Sequence, residues 1–417
     1  MVIVHGAVGL GYDGGFIAVL PPGSPAMRLS LILPPVEPEA YPEVAGCPYA
    51  GCDGRHVQHW QAVPKPLRDT QVQEVVAHRY RCVRCGRTFR VYPRGVGQDQ
   101  TSARLKGVAV MFYVLGMSYG AVSTALRALG WPLSKVAAYY AVQEAGAAVA
   151  GLRREAVARG GGRVAALGVD LTSVRCAGHW LTVGIGVDAV RGTVLSLDVL
   201  PNGEAATLTA WVQDLASVLG AELLVSDDAD PFKTAADANG LDQQVCKAHV
   251  GRNTEAWVAA AVPELAADAD GSLAAIAVAP AQAVADCQEL LRLMTERQPT
   301  PEARATLAAI HLRYRGAAKP AKGEPMSLAY RLRLFSLDRW NVWPRLTRYR
   351  TWEGAGGETA DGTNNACERA IGWWVKERYR PMRGYKRPES VLHVSRLIAA
   401  MGNALDGPGF ALAQVIA

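Results

Sequence analysis

The sequence predicts an α/β protein in which a mixed sheet follows a cysteine-rich module and a helical module. Three patterns carry this prediction: two apolar strands that each end in aspartate, two pairs of closely spaced cysteines, and apolar residues at helical spacing between them. At 417 residues the chain exceeds one ordinary core, so several domains are expected. The predicted segments are an N-terminal extension (1–46), a cysteine module (47–98), a helical module (99–160), a sheet domain in two parts (161–254 and 359–417) and a helical insertion between those parts (255–358).

The composition is that of a globular protein, with 50% apolar and 20% charged residues. No run of 18 apolar residues occurs, so no membrane-spanning segment is expected, and the apolar N-terminus lacks the basic start of a signal peptide. The net charge of +6 is unevenly distributed. Residues 47–160 hold 16 Lys and Arg against 6 Asp and Glu, residues 161–250 hold 5 against 11, and residues 292–350 hold 13 against 4. An acidic centre between basic flanks is typical of a metal site served by segments that bind nucleic acid.

Four of the eight cysteines form two close pairs. Cys47 and Cys52 form the first pair, and Cys82 and Cys85 form the second pair after a longer gap. This spacing is typical of a zinc ribbon, in which four thiolates bind one Zn²⁺ and fold a segment too small to bury its own core. The arginines around the second pair favour a role in DNA binding. Three nearby residues could replace a thiolate as ligand: His56, His59 and His78.

Residues 101–150 have the apolar spacing of helices. After a first helix, two shorter helices are predicted over 118–130 and 133–146, separated by the break GWP. Two short helices joined by a tight turn predict a helix-turn-helix that binds DNA, and an ordinary helical hairpin is the alternative. The candidates for contact with a DNA groove are on the second helix: Ser134, Lys135, Tyr139 and Tyr140.

Two buried apolar strands of the predicted sheet each lead to aspartate. The first presents Asp170, and the second presents Asp227 and Asp228. Two alternating segments and an amphipathic helix lie between them. Three strands, a helix, a fourth strand and a helix form the order of an RNase H-like fold, in which the tips of the first and fourth strands are adjacent. We therefore expect Asp170 and Asp227 to converge, although they are far apart in the sequence.

Two converging carboxylates repel each other, and a hard divalent cation such as Mg²⁺ relieves that repulsion. A pair of such cations activates an attacking oxygen and stabilises a leaving oxygen on phosphorus. Because neighbours on a strand point to opposite faces, the alternation favours Asp227 over Asp228 as the ligand. Asp230, two residues further on, is the remaining candidate.

The third carboxylate is predicted in the stretch TNNACERAIGWWVKERYRPMRGYK, residues 363–386. With Asn365 as N-cap, Glu368 would stand where a capping-box glutamate belongs, and this is the structural alternative. A capping role, however, needs no basic and aromatic neighbours, and such a face suits phosphates and an exposed base. We therefore predict Glu368 as the third metal ligand. The residues that recur at helical spacing on this face are Arg369, Trp373, Lys376 and Arg380.

The stretch between Asp227 and Glu368 is far longer than one strand and one helix require. Residues 255–350 have helical, partly Arg-rich patterns and are predicted to form an insertion in the sheet domain. Trp340 and Trp343 are expected to pack the core of this insertion, with stacking on a flipped base as the alternative.

Four stretches of the chain resemble the DDE-type transposases of bacterial insertion sequences, near the Mutator-like group. They are GVDLT around Asp170, VSDDAD around Asp227, VCKAHVGRN with Cys246 and His249, and the stretch around Glu368 quoted above. Together with the cysteine module, the resemblance covers roughly residues 47–400. The last stretch is the most specific, because Asn-Asn before the glutamate and Arg-Gly after a basic helix rarely occur together.

The resemblance implies an enzyme, dependent on Mg²⁺ or Mn²⁺, that binds the terminal inverted repeats of an element, cleaves DNA and joins the freed 3′ ends to target DNA. Asp170, Asp227 and Glu368 would be the metal ligands. Cys246 and His249 would support the site structurally or bind a metal, and the structural role is favoured. The residues predicted to contact DNA are Arg369, Trp373, Lys376, Arg380, Arg383, Lys386 and Lys135.

The implied protein is cytoplasmic and nucleoid-associated, and it acts as a homodimer or a larger synaptic assembly, because two DNA ends must be paired. Two other functions fit parts of the sequence. One is a domesticated DNA-binding protein that has lost cutting, and the intact Asp, Asp, Glu set speaks against it. The other is an RNase H-like structure-specific nuclease that hydrolyses DNA without joining it, which the N-terminal modules make less suitable.

Overall fold

The computed structural model describes residues 16–17, 30–149, 163–296, 300, 302–372, 384–404 and 409–416. These residues form a mixed α/β structure that divides into two compact units. Unit 1 comprises residues 1–152, 174–181 and 372–417, and unit 2 comprises residues 153–173 and 182–371. None of the helices within the described ranges combines the length and apolar character that a bilayer crossing requires.

The strands and helices are numbered in chain order. The strands are β1 (Phe16–Ile17), β2 (Ser30–Ile32), β3 (Val57–Pro66), β4 (Glu74–Cys82), β5 (Thr88–Val91), β6 (Ala166–Cys176), β7 (His179–Asp188), β8 (Val194–Leu200), β9 (Leu223–Ser226), β10 (Asp242–Val245) and β11 (Phe410–Ala411). The helices are α1 (Ala103–Val114), α2 (Tyr119–Ala128), α3 (Lys135–Ala148), α4 (Ala205–Leu219), α5 (Asp230–Ala238), α6 (Lys247–Ala267), α7 (Ser272–Ala275), α8 (Pro280–Thr295), α9 (Ala303–Arg313), α10 (Leu328–Leu346), α11 (Asn365–Ala370) and α12 (Pro388–Gly402).

The cysteine module of unit 1 is a three-stranded antiparallel sheet of β3, β4 and β5. The Sγ atoms of Cys47 and Cys85 are 3.7 Å apart, and those of Cys52 and Cys82 are 3.8 Å apart. All four sulfurs lie within 4.8 Å of one another. Thiolates at about 2.3 Å from a tetrahedral Zn²⁺ have sulfurs about 3.8 Å apart, so this cluster could bind a metal such as zinc.

Two glycines form the tight turns beside the cysteines. Gly51 and Gly86 have φ angles of +79° and +72°, in the left-handed region that favours glycine. After the second turn, the Nε of Arg87 donates a hydrogen bond of 3.4 Å to the Sγ of Cys85. This bond lowers the pKa of the Cys85 thiol to about 6, which favours the thiolate form that a metal requires.

The three histidines that the sequence offers as spare ligands are not part of the four-sulfur group. His59 and His78 face each other on β3 and β4, and their ring nitrogens are 3.1 Å apart. The candidate ligand set of this module is therefore four cysteines.

Within the described residues of unit 1, the α-helices are α1 to α3 and α12. The hydroxyl of Ser134 caps α3 by accepting the N–H of Ala137, so this predicted groove contact has a structural role. Gly130, with φ at +83°, turns the chain between α2 and α3. α12 packs on α3 at Gly146, where a Cβ atom would lie 2.4 Å from the carbonyl oxygen of His393.

Two predicted boundaries differ from the observed units. The sequence places residues 359–417 together in the sheet domain, but residues 372–417 belong to unit 1 because α12 packs on α3. The boundary after residue 254 falls inside α6, which continues to Ala267. The N-terminal extension is also not separate, because β2 pairs with β11 from the other end of the chain.

Unit 2 is built on a five-stranded sheet with the order β10-β9-β6-β7-β8. β6, β9 and β10 are parallel, whereas β7 and β8 are antiparallel. One face of the sheet packs its apolar side chains, among them Leu167 and Val169, against α4 and α5. On β7, Gly184 leaves room for the ring of Trp211 on α4, since a Cβ atom there would lie 2.8 Å from it.

The helices α6 to α10 share a second core within unit 2. Trp343 is buried in this core, and Trp340 packs against it partly exposed. Trp257 on α6 stacks on Phe335 on α10, with 3.9 Å between ring centroids. Trp340 and Trp343 therefore pack in the core of these helices, which is the role that the sequence analysis favoured for them.

We expect Cys82→Ser to release the bound metal and unfold the cysteine module, because a segment of this size depends on metal ligation for stability. Elemental analysis should show a loss of about one zinc per chain, and limited proteolysis should cut within residues 57–91. The matched control is His59→Ala, which should retain the zinc. Full zinc content in Cys82→Ser would contradict the four-cysteine ligand set.

Candidate active site

The pairing of β6 with β9 brings two predicted site residues side by side. In this parallel ladder Ala166 pairs with Leu223 and Gly168 pairs with Val225. The same register, continued by two residues, places Asp170 opposite Asp227. The two aspartates are separated in the sequence by the same number of residues as the two members of each ladder pair. Pairing of β6 with β9 in this register therefore brings Asp170 and Asp227 together.

The helix α11 carries Glu368 and lies close to β6 at a glycine. A Cβ atom on Gly168 would lie 2.9 Å from Val187 and 3.0 Å from the Sγ of Cys367, so only glycine allows this approach. The buried Asn364 fixes the start of the helix, because its Nδ2 donates to the carbonyl oxygen of Val169 over 2.8 Å. Side chains alternate along a strand, so Asp170 lies on the same face of β6 as Gly168 and faces the side where α11 packs.

The N-terminus of α11 differs from the sequence prediction by one residue. Asn364, rather than Asn365, is the N-cap, and its side chain makes no capping hydrogen bond. Glu368 is therefore the fourth residue of the helix, not the third, and the capping-box interpretation is wrong. The carboxylate of Glu368 is free to face other side chains.

Glu368 faces two cationic or ionisable residues from α6. Its Oε1 lies 3.5 Å from the Nδ1 of His249 and 3.5 Å from the Nη2 of Arg252. Both residues follow the N-terminus of α6, which begins directly after β10. The sequence stretch VCKAHVGRN thus places one ring and one guanidinium group beside the predicted third carboxylate.

Burial raises the pKa of both aspartates. The pKa of Asp170 is raised to about 6, first because burial removes water from the carboxylate, and further by the negative charges of Asp227 and Glu368. The N–H of Leu171 opposes this by donating to Asp170 over 2.7 Å. The pKa of Asp227 is also raised, mainly by burial, although the N–H of Ala229 donates to it over 3.2 Å.

The neighbouring aspartates have other environments. Asp228 is held by ion pairs, with the Nζ of Lys233 at 2.9 Å and the Nη2 of Arg339 at 3.4 Å. The side chain of Asp230 is 91% exposed and lies 3.1 Å from Lys233. Of the three aspartates, Asp227 is the one whose charge acts on Asp170.

Cys246, His249 and Glu368 form a second group of potential metal ligands, with one donor atom of each within 4.8 Å of the others. The thiol of Cys246 is buried, and it accepts the N–H of Asn364 over 3.2 Å. Burial raises the pKa of this thiol. A sulfur, nitrogen and oxygen donor set suits a metal softer than Mg²⁺, such as zinc.

Three buried atoms of these residues have no hydrogen-bond partner: the Oδ1 of Asn364, the Nδ1 of His249 and the Oε1 of Glu368, the last two being 3.5 Å from each other. Buried polar atoms nearly always have partners, so a bound cation suits the Glu368 oxygen. The carboxylates of Asp170, Asp227 and Glu368 are the hard oxygen donors that Mg²⁺ prefers. They influence one another electrostatically, but they do not form a group whose donor atoms all lie within 4.8 Å of one another.

The residues predicted to contact DNA are distributed as follows. Arg369 on α11, Lys386 and Lys135 are all exposed. Trp373, Lys376, Arg380 and Arg383 lie outside the described residues. The sequence analysis did not assign individual roles to Gly168, Asn364, Arg252 or Arg339. For Gly168, the only signal in the sequence was its position two residues before Asp170 in a buried strand.

No family model matches the chain, and no curated protein is significantly similar to it.

Gly168→Ala should destabilise unit 2 by about 1–3 kcal/mol, because the new methyl group would overlap Val187 and Cys367 and push α11 away from β6. Urea unfolding of the purified chain measures this change. Gly372→Ala is the matched control, since none of the described residues lies within 4 Å of a Cβ atom there. If the two variants are equally stable, close packing of α11 at Gly168 is not a constraint.

Asp170→Asn should stabilise the protein without added divalent cations above pH 7. The folded-state pKa of Asp170 lies above its ordinary value, so the folded state holds the extra proton and loses stability as the pH rises from about 4 to about 6. Asparagine does not ionise, so the variant should keep the free energy of unfolding that the parent loses, about 1–2 kcal/mol for a partly exposed group. Urea unfolding at pH 4 and pH 8 measures it: the two proteins should agree at pH 4 and differ at pH 8. An equal difference at both pH values would contradict the raised pKa.

Proposed function

We propose that the chain is a DDE-type transposase, with an RNase H-like catalytic domain in unit 2 that cleaves DNA at element ends and joins the 3′ ends to target DNA. The observation that carries the proposal is the parallel pairing of β6 with β9, whose register, extended by two residues, sets Asp170 within β6 opposite Asp227 just after β9. Glu368 lies on α11, which packs beside β6 at Gly168, and its charge acts on Asp170. The strand order β8-β7-β6-β9-β10, with β9 parallel to β6, supports an RNase H-like assignment.

The three carboxylates would hold Mg²⁺ or Mn²⁺. When bound, such a cation lowers the pKa of an attacking hydroxyl and neutralises charge that develops on the phosphoryl oxygens. The Oε1 of Glu368, which has ion-pair contacts at 3.5 Å but no hydrogen bond, and the raised pKa of Asp170 support this assignment, because a divalent cation would offset both.

The protein's own residues act mainly by positioning. His249 and Arg252 each lie 3.5 Å from the Oε1 of Glu368 and are placed to fix the position of its carboxylate. Lys233 and Arg339 form ion pairs with Asp228 and offset part of its charge, although Asp228 still contributes to the raised pKa of Asp227. The exposed side chains of Arg252 and Arg369 are suited to approach a DNA phosphate from solvent.

The reaction needs no covalent protein–DNA intermediate. Water attacks the phosphorus at the element end and releases a 3′-hydroxyl, and that hydroxyl then attacks a target phosphate in line and displaces its 3′-oxygen. In each step one P–O bond forms and one breaks, so the joining step consumes no external energy source. One site that stabilises the same charge twice is sufficient for both steps.

Unit 1 would supply DNA binding. Its four-cysteine module is rich in arginine, and α2 and α3 with the tight turn at Gly130 are compatible with a helix-turn-helix. Two element ends must be held together for joining, so we propose a homodimer or larger synaptic assembly on terminal inverted repeats in the bacterial cytoplasm, associated with the nucleoid.

Asp227→Asn should abolish DNA cutting, with a loss of at least about 100-fold, while leaving DNA binding intact, because the amide cannot supply the charge that a cation requires. The assay uses duplex DNA from the sequences that flank the gene, a supercoiled target plasmid, and Mg²⁺. Asp230→Asn is the matched control: its exposed side chain lies outside the cluster, and the variant should cut at the parent rate.

Joined products that depend on Mg²⁺ and on Asp227 would support the transposase. Cutting without joining would instead identify a structure-specific nuclease with the same site. DNA binding with neither activity would identify a domesticated DNA-binding protein. Cutting by Asp227→Asn at the parent rate would overturn the assignment of the three carboxylates.

A further inference from the structure

A cavity of about 760 Å³ lies within unit 1, between the starts of α2 and α3 and residues 384–390. The described residues that line it include five tyrosines, two lysines and one arginine, and none of these lining residues carries a carboxylate. The residues most relevant to ligand binding are Tyr119, Tyr139, Tyr140, Lys135, Lys386 and Arg387. Ligand sites are typically concave and lined by apolar and aromatic side chains with a few polar groups, and this lining fits that description.

The tyrosines form a connected aromatic layer. Tyr113 and Tyr119 stack with 4.2 Å between ring centroids, and Tyr139 meets Tyr119 edge-on at 5.4 Å. Hydrogen bonds fix two of their hydroxyls: Gln143 donates to Tyr119, and the hydroxyls of Tyr139 and Ser390 are 3.3 Å apart. The floor of the cavity is therefore held in place from α1, α3 and α12.

The outer part of the cavity leaves aromatic and apolar surface exposed to solvent. Tyr140 is 58% exposed, and Val136, one turn earlier on α3, is 60% exposed. Tyr140 is nevertheless oriented by Tyr139, whose ring lies at 5.5 Å and is tilted by 68°. An ordered aromatic ring with a free face is a stacking platform for another planar ring.

Three cations surround this platform. The side chains of Lys135, Lys386 and Arg387 are exposed, and none makes an ion pair or hydrogen bond with another of the described residues. The nearby Glu389 on α12 is exposed and is not part of the lining. Cations that have no partner among the described residues, placed around an aromatic platform, match a planar ring that is linked to negatively charged groups.

We propose that this cavity binds an unpaired nucleotide of DNA, with the base stacked on Tyr140 and its flanking phosphates bound by Lys135, Lys386 and Arg387. The proposal rests on the proposed function, since it assumes that DNA is the partner of unit 1. It changes the expected role of α3. A recognition helix reads paired bases in a groove, whereas this end of α3 would read one base that has left the duplex.

The experiment uses the full chain carrying Asp227→Asn, so that DNA is bound but not cut. The probes are a blunt duplex from the gene's flanking sequence and the same duplex with a short single-stranded overhang that contains 2-aminopurine. Binding of the overhang should quench 2-aminopurine fluorescence through stacking. Tyr140→Ala should remove the quenching and weaken overhang binding about tenfold, with little effect on the blunt duplex.

Two further variants separate stacking from loss of structure. Tyr140→Phe retains the ring and should restore both the quenching and the affinity. Leu129→Ala removes a side chain of the same helical module that is 52% exposed but outside the cavity, and it should behave as the parent. Lys135→Ala should reduce the slope of log affinity against log salt by about 1 for the overhang DNA.

The proposal is overturned if Tyr140→Ala binds the overhang as tightly as Leu129→Ala, or if it weakens blunt and overhang DNA equally. The second result would assign Tyr140 to duplex contacts. Failure of the parent chain to bind either DNA would overturn the proposed function together with this inference. If the cavity does not bind an unpaired nucleotide but the chain still binds duplex DNA, only this inference is overturned. That outcome is therefore distinguishable from failure of the transposase assignment.

Discussion

The parallel pairing of β6 with β9 is the contact on which the candidate site depends. Its register, extended by two residues beyond Gly168 and Val225, sets Asp170 opposite Asp227. The same strand determines the position of the third acid, because Gly168 admits α11 and Asn364 ties the start of that helix to Val169. A shift of β6 by one residue would move Asp170 to the opposite face and separate it from Glu368.

Bringing the carboxylates of Asp170, Asp227 and Glu368 together lowers the stability of the fold, and the surrounding residues limit this loss. Backbone N–H groups donate to Asp170 and Asp227, and Asp228 is turned aside into ion pairs. Burial, and to a smaller extent repulsion from Asp227 and Glu368, raises the pKa of Asp170. On the proposed function, a bound divalent cation would relieve both effects. The proposed function implies that the clustered carboxylates lower the stability of the metal-free fold and, in return, bind a divalent cation.

The sequence was sufficient for those features that local patterns determine. The cysteine spacing predicted the four-sulfur cluster, because it depends on neighbours in the chain. Strand alternation does not govern Asp227 and Asp228, since both follow the last residue of β9, Ser226, and the preference for Asp227 as ligand stays a prediction. Tertiary contacts were not predictable in the same way. Nothing in the local pattern showed that β2 pairs with β11 from the other end of the chain, or that Gly146 admits α12 and so moves residues 372–417 into unit 1. The contact of Arg252 with Glu368 likewise depends on two helices that are far apart in the sequence.

The most direct test of the central claim is a crystal structure of the protein grown with Mn²⁺, with anomalous scattering recorded at the manganese edge. We predict an anomalous peak coordinated by carboxylate oxygens of Asp170, Asp227 and Glu368. The claim would be contradicted by a peak that is coordinated instead by Cys246, His249 and Glu368. It would also be contradicted by the absence of a peak near Asp170 and Asp227 at saturating Mn²⁺.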